Sequence, residues 1–396
     1  MQELYFEEKT FMRIAFIYKF FPSLGGVERV ITTLANGFVR EGVYVRIYSF
    51  RQPLQEPAYP LDSRISIVPL PSQGRIDSLE NISFLSQEIK EQQIDILFNH
   101  DSVSDSVHFC HKVKKLSGVK FVTIHHGQIF LPSASLRTIA GRYGRNNLRN
   151  ILFPLYCIYD IARKYIHHHN NIRMNDMYVV LSETYRRQLD SGQKVQVVAN
   201  PLSFGSCFEM DRYGEKENLV IMVGRLSEVD KRFSTALDVW KRIEADRRYN
   251  NWTFEIVGDG DDRDYVAHLI DDRRLERVRM VGRAASEPYY TRAKIFMMTS
   301  AFEGFPLVLL EASQKACVPV VMDSFETVHD LLISGVNGEI VKNNDVEMFT
   351  EKVKLLMSDS RYLCSMAENA VRNSSGYASE VIVRKWLDLF NKVLES

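Results

Sequence analysis

The stretch MRIAFIYKFFPSLGGVERVITTLANGFVREG, Met12 to Gly42, decides the fold. Met12 to Phe20 is a short apolar run of the kind that forms a buried strand. Pro-Ser-Leu-Gly-Gly breaks it, and from Val27 the apolar residues return with helical spacing. Strand, glycine turn and helix open a parallel sheet covered by helices. VYVRIYSF (from Val43), RISIVPL (Arg64), DILFNH (Asp95), KFVTIHH (Lys120), MYVVLSE (Met177) and VQVVANP (Val195) carry the series onward. Asn-Pro and mixed polar residues between Asn200 and Gly214 interrupt the pattern. It restarts with NLVIMVGR (Asn218), TFEIVGDG (Thr253), VRMVGR (Val278), KIFMMTS (Lys294) and VPVVMDS (Val318). The chain is therefore expected to be α/β, with Rossmann-like parallel-sheet domains over residues 1–203 and 204–375. SEVIVRKWLDLFNKVLE, within 376–396, is expected as a terminal helix packing back toward the first domain. In open parallel sheets ligands bind beyond the carboxyl ends of the strands, so the loops after these runs, facing a cleft, are where chemistry belongs.

Composition narrows the class. A chain of 396 residues exceeds one ordinary core, and 45% hydrophobic with 25% charged residues describes a globular protein. Formal net charge is zero, which argues against a nucleic-acid partner, so a basic surface must be local. Five scattered cysteines without a C-x-x-C pair indicate neither a disulfide framework nor a zinc site. No apolar run reaches the length of a membrane span, and the N-terminus lacks the layout of a secretory signal. The expected location is cytoplasmic. The first eleven residues are assigned no role.

SAFEGFPLVLLEA, Ser300 to Ala312, sets Glu303 and Glu311 around Gly-Phe-Pro. Pro306 suits the first turn of a helix, where its missing N–H has no intrahelical partner, and Gly304 lets the backbone before it turn tightly. The amides of Phe305 to Leu307 then stand at a positive helix end that attracts phosphate. Glu303, before the turn, is placed to accept from hydroxyls on the group the phosphate carries. Glu311, a turn and a half into the helix, is placed to accept from the diol of a ribose. A glutamate pair alone more often faces solvent. Here Arg225 directly follows VIMVG and Lys231 lies six residues on, and two cations at one strand end neutralise a diphosphate leaving group.

In order and spacing, GRLSEVDKRF, FEIVGDG, VRMVGR, EGFPLVLLEA and GVNGEIV resemble the C-terminal domain of glycosyltransferase family 4, and EGFPLVLLE is similar to its E-x7-E signature. The likeness is strongest over residues 218–345 and extends through GGVERV and TIHHG. It implies the GT-B fold and transfer of a hexose or N-acetylhexosamine from a nucleotide sugar, UDP-linked by family habit, with retention of configuration. By the same resemblance, Gly224, Arg225 and Lys231 hold the donor diphosphate, Glu303 the donor sugar and Glu311 the ribose. Gly304, Phe305, Pro306 and Leu307 bring the backbone to the phosphates, Gly282 and Arg283 edge the base, and Gly25 and Gly26 let donor and acceptor approach. One histidine hydrogen-bonds the donor sugar. Alignment on Thr-x-His selects His125, the preferred choice, and alignment on His-Gly selects His126. The catalytic set is then His125 or His126 with Arg225, Lys231 and Glu303. The family requires no metal or other cofactor, and HHHNN (His167 to Asn171) lacks a carboxylate. Arg232 stands where the family has glycine, to touch phosphate or face solvent. Arg263 replaces the third glycine that a dinucleotide fingerprint needs in IVGDGDDR.

Between Ser135 and Arg173 the basic residues Arg137, Arg142, Arg145, Arg149, Arg163, Lys164 and Arg173 face Asp160 alone. Interleaved apolar residues suit this stretch to an anionic membrane surface at the inner face. A core helix pair with a solvated basic face, or a site for an anionic polymer, fits it as well. The acceptor is accordingly expected to be a glycan, lipid-linked or surface-polymer molecule. His100 and Asp101 stand at the rim of the cleft, with structural roles favoured. An epimerase or phosphorylase of similar architecture and a non-catalytic sugar-nucleotide-binding protein are the rival readings.

Overall fold

The computed structural model describes residues 12–129, 147–189 and 192–396, with 147–156 as helical backbone. Arg137, Arg142 and Arg145 lie outside the described residues, as do the first eleven. Seven strands, β1 (Arg13–Phe20), β2 (Tyr44–Arg51), β3 (Ser66–Pro69), β4 (Ile96–Asn99), β5 (Lys120–Ile124), β6 (Met177–Val180) and β7 (Val195–Val197), form one sheet in the order β3-β2-β1-β4-β5-β6-β7. Six more, β8 (Glu217–Val223), β9 (Thr253–Val257), β10 (Val278–Gly282), β11 (Ala293–Met298), β12 (Val318–Asp323) and β13 (Glu339–Lys342), form a second in the order β10-β9-β8-β11-β12-β13. Every pairing between these strands is parallel.

Both faces of each sheet are covered, which is why the strands read as nearly continuous apolar runs. On β1, Ile14 and Phe16 enter one core while Ala15 and Ile17 enter the other. On β8, Val220 and Met222 divide from Leu219 and Ile221 in the same way. The connecting helices that matter for the cleft are α1 (Gly26–Arg40), α2 (Asn147–Met174), α3 (Glu228–Lys231), α4 (Phe233–Glu244), α5 (Leu307–Gln314) and α6 (Ser379–Glu395). The long basic stretch is thus largely one helix, α2. The last helix, α6, crosses to the first lobe, where Trp386 and Phe390 join Phe38 and Phe98 in one core. Gly37 on α1 makes the crossing possible, because a Cβ there would lie 2.4 Å from a Val383 methyl.

The strand orders locate the chemistry. In the first sheet the order reverses between β1 and β4, and in the second between β8 and β11. Loops leaving adjacent strands in opposite directions open a crevice at such a point. The loops so placed carry Gly25, His100, Arg225 and Glu303, and these are the segments that the motifs single out.

Candidate active site

Three glycine turns interlock to set the cationic strand end. Gly224 N–H donates to the Val257 carbonyl (3.0 Å), Leu226 N–H to Asp259 (3.0 Å) and Gly258 N–H to Gly282 (2.9 Å). Gly224, Gly258 and Gly282 have φ of +158°, +145° and +84°, and a Cβ at Gly258 would lie 1.9 Å from the Gly224 carbonyl oxygen. Gly258 is required by backbone against backbone, and Gly224 and Gly282 by their positive φ. Their frame holds Arg225 at the rim, 71% exposed and paired with Asp230 at 2.8 Å. Lys231, at the end of α3, turns inward and pairs with Glu303 at 2.5 Å.

Arg232 does not simply face solvent. It has φ +52°, the left-handed conformation that explains a glycine at this position. Its guanidinium is anchored within the protein rather than free in solvent. It donates to the carbonyls of Thr299 and Ser300 (both 2.6 Å) and to the side chains of Asn343 (2.8 Å) and Asn344 (2.6 Å). Burial brings its pKa down to about 10. The residue ties the α3–α4 junction to the end of β11.

The loop bearing Glu303 is clamped from the opposite lobe. Gln128 donates to the Glu303 carbonyl (2.6 Å), and the Tyr185 hydroxyl to the Gly304 carbonyl (2.7 Å). A Cβ at Gly304 would lie 2.9 Å from the His126 carbonyl oxygen, so this glycine permits the closest approach of the two lobes here. Pro306 is the residue before α5 rather than its first turn, and the helix starts at Leu307. The Phe305 side chain packs into the core facing Tyr377, leaving only backbone from this residue toward the cleft.

Glu311 lies deeper than its motif suggests. It is 1% exposed and forms an ion pair at 2.6 Å with Arg29, a residue of α1 in the other lobe. Burial raises its pKa, opposed by the Arg29 charge. Arg29 also lies over the rings of Phe204 (5.1 Å) and Tyr59 (5.9 Å). Each acid of the motif therefore holds a cation, Glu303 within its lobe and Glu311 across the cleft.

Two cavities collect His126, Arg225, Lys231, Arg283, Glu303 and Gly304 of the predicted residues. One of about 570 Å³ is lined by Arg225, Lys231, Glu303 and Gly304 from the second lobe and by His126, Gln128 and Lys164 from the first. A second of about 970 Å³ is lined by Leu24, Arg29, Ser203 and Arg283. Glu311 reaches it through Arg29. Gly25 precedes α1, its space taken by Glu28, whose carboxylate a Cβ would meet at 2.4 Å; Gly26 has open space. Glu28, in the first turn of α1, accepts from Ser23 of the preceding loop.

The histidines separate. His126 lines the cavity that holds Glu303, and its ring Nε2 meets His100 Nδ1 at 3.1 Å. His125 lines an adjoining cavity, its Nδ1 2.6 Å from the Ser102 hydroxyl. Desolvation brings both pKa values down to about 4, so both rings are neutral at pH 7. Burial also keeps His100 well below the usual range. Asp101 accepts from the Val103 amide (3.1 Å) and the Ser106 hydroxyl (2.7 Å), fixing the loop ahead of the next helix. Sequence reasoning assigned no role to Arg29, although GGVERV contains it, nor to Gln128 and Tyr185.

Comparison with known proteins gives concordant results. The model described as Glycosyltransferase Family 4 matches residues 24–203, and that described as Glycosyl transferases group 1 matches residues 209–373. The chain is similar to the amylovoran biosynthesis glycosyltransferase AmsD of Erwinia amylovora, 26% identical over 93% of this chain and 96% of that protein. It is also similar to a Campylobacter jejuni α-1,4-N-acetyl-D-galactosaminyltransferase whose name specifies a diphospho-undecaprenol-linked saccharide, 24% identical over 96% and 99%. Among solved structures, Anabaena HepE in complex with UDP superposes with a TM-score of 0.72 (16% identity, 96% of this chain and 100% of that one). The lipopolysaccharide outer core galactosyltransferase WaaB does so at 0.70 (20% identity, 96% and 100%).

Proposed function

Because the chain belongs to glycosyltransferase family 4 and is a glycosyltransferase of the GT-B fold, we propose that it moves a hexose or N-acetylhexosamine from a UDP-sugar to a cell-surface glycan acceptor with retention of configuration. The observation that carries this reading is the cavity where Arg225, Lys231 and Glu303 meet His126 and Gln128 of the opposite lobe. It has cations for a diphosphate and a carboxylate for sugar hydroxyls within one enclosure.

The nucleoside is assigned to the larger cavity beside Arg283, with its ribose meeting Glu311 as Arg29 swings away. The donor then exchanges both resident ion pairs: Lys231 passes from Glu303 to the diphosphate, and Glu303 to the sugar. During transfer the bond between the anomeric carbon and the diphosphate oxygen breaks, and the acceptor oxygen bonds to the same face. The acceptor proton passes to the departing phosphate. Arg225, Lys231 and the amides at the start of α5 stabilise the charge on the leaving group. These residues suffice for the charge of the diphosphate, and the proposal involves no metal. Residues 1–203 are assigned the acceptor and 204–375 the donor, with 376–396 bracing the first lobe. No helix of the described residues is long and apolar enough to cross a membrane. The exposed face of α2 supports peripheral attachment.

A thermal-shift panel of nucleotide sugars tests the donor assignment, because a bound donor raises the melting temperature by mass action. UDP-sugars are expected to stabilise the protein, and Lys231→Ala to abolish the shift. Stabilisation by another nucleotide series, unchanged in that variant, would remove the assignment. The anomeric coupling constant of the product, read by NMR, tests retention.

A further inference from the structure

Gln128 has one end of its side chain in use and the other idle. The amide donates from Nε2 to the Glu303 carbonyl at 2.6 Å. A peptide carbonyl only accepts, so this contact fixes which end of the amide is nitrogen and which is oxygen. The opposite end, Oε1, is buried and has no hydrogen-bond partner among the described residues. A buried acceptor left unpaired is costly, and in a cavity wall it calls for a donor supplied by a ligand.

Both lobes hold this pose. In the first, His125 Nε2 meets the Gln128 main-chain oxygen at 3.3 Å, and His125 Nδ1 lies 2.6 Å from the Ser102 hydroxyl. Because the carbonyl accepts, the imidazole proton sits on Nε2 and Nδ1 accepts from Ser102. In the second, the Tyr185 hydroxyl on the Gly304 carbonyl (2.7 Å) and the close approach of Gly304 to the His126 carbonyl fix the loop that Gln128 holds. The wall around Oε1 selects the ligand group. Gln128 lines the cavity of about 570 Å³ with Lys164, Arg225, Lys231 and Glu303. The three cations already meet carboxylates, Lys164 with Asp160 at 2.8 Å, Arg225 with Asp230 at 2.8 Å and Lys231 with Glu303 at 2.5 Å. A diphosphate carries acceptors, so it suits those cations and offers Oε1 nothing. A carbohydrate hydroxyl donates, and the Glu303 carboxylate and Gln128 Oε1 are two acceptors in one enclosure.

We propose that Gln128 is a specificity-determining residue for the transferred sugar: its Oε1 accepts from one hydroxyl of that sugar while its Nε2 holds the loop that presents Glu303. One side chain of the first lobe then links recognition of the sugar to the placement of Glu303 in the second. A sugar lacking that hydroxyl leaves Oε1 unpaired and binds more weakly. The His125 ring, which does not line the Glu303 cavity, acts here by supporting Gln128 from the adjoining one. The inference rests on the transferase reading above and names a determinant of its donor.

The test measures donor binding by calorimetry on the full chain, without acceptor. The probes are UDP, UDP-glucose, UDP-galactose, UDP-N-acetylglucosamine and UDP-N-acetylgalactosamine, followed by the single-deoxy forms of whichever sugar nucleotide binds most tightly. Wild type is expected to lose about tenfold in affinity with one of the deoxy forms, since a hydrogen bond to a buried acceptor disappears. Gln128→Met should bind the parent sugar nucleotide about tenfold more weakly than wild type and should no longer distinguish it from that deoxy form. Loss of the Nε2 contact weakens parent and deoxy form alike, so the comparison between them isolates Oε1. The affinity of the variant for UDP should hold, which also shows that it folds. A Gln128→Met protein that keeps the wild-type discrimination would overturn the assignment, whatever its absolute affinities. Unchanged donor binding with a raised KM for the acceptor would move the contact to an acceptor hydroxyl and overturn it as well. Failure of wild type to bind UDP removes the donor reading and this inference with it, whereas bound UDP with every deoxy form accepted equally overturns this inference alone.

Discussion

Replacing Arg29 by methionine separates the electrostatics of the cleft from its packing. The side chain of Glu311 is 2% exposed, that of Arg29 is 22% exposed, and 2.6 Å separates their charges. Removing one member of a buried pair costs on the order of 3–5 kcal/mol when the other must stay charged. Glu311 has an alternative, because burial already raises its pKa and Arg29 is the first group holding it down. Without Arg29 its pKa rises further. An acid whose folded pKa exceeds its unfolded value binds protons more readily when folded, so its penalty is absent at low pH and grows as pH climbs through the folded pKa. Arg29→Met should therefore lose most stability near pH 8 and much less near pH 5. The cation–π contacts with Phe204 and Tyr59 leave a pH-independent loss of about 1 kcal/mol. Chemical denaturation of wild type, Arg29→Met, Glu311→Gln and the double variant at both pH values closes the cycle. The double variant should regain all but about 1 kcal/mol at pH 8. An equal loss at both pH values, or no recovery on adding Glu311→Gln, would show that the pair does not carry a buried charge.

The glycine interlock predicts that Gly258→Ala costs at least ~3 kcal/mol in urea denaturation, since the new Cβ meets the Gly224 carbonyl at 1.9 Å and φ is +145°. Gly376→Ala, with nothing within 4 Å, serves as the near-neutral control. At Arg232, alanine should destabilise more than glycine by about 1 kcal/mol, because both lose the guanidinium anchors but only glycine relaxes φ +52°; equal losses would refute the strain argument. His125 and His126 have folded pKa values of about 4 against 6.5, so the unfolded chain binds more protons and stability falls as pH drops from about 6.5 to about 4. Each contributes on the order of 3 kcal/mol over that window, and His126→Gln should flatten the fall in melting temperature; an unaltered slope would contradict it.

The architecture was legible because each strand carries its own apolar run, and two such series in one chain leave few arrangements. Arg225, Lys231 and Glu303 were legible for the same reason: strand ends in a parallel sheet are fixed addresses, and the loops after the neighbouring strands β8 and β11 bring these three residues together. Glu311 shows where that reasoning stops. Its position on α5 follows from the motif, but its burial and its partner depend on how α1 of the other lobe meets it, and the identity of residue 29 carries no trace of residue 311. Arg232 is hidden for a different reason. Non-glycine residues take the left-handed conformation only when surrounding contacts repay its cost, and those contacts come from Thr299, Ser300, Asn343 and Asn344, far along the chain. Gln128 and Lys164 belong with Glu311, since they matter through a cavity wall assembled from several loops. Local pattern thus locates the charged groups at the strand ends, whereas their partners belong to the contact between lobes. Substitutions at Arg29, Gln128 and Lys164 should accordingly alter donor or acceptor preference while leaving the architecture intact.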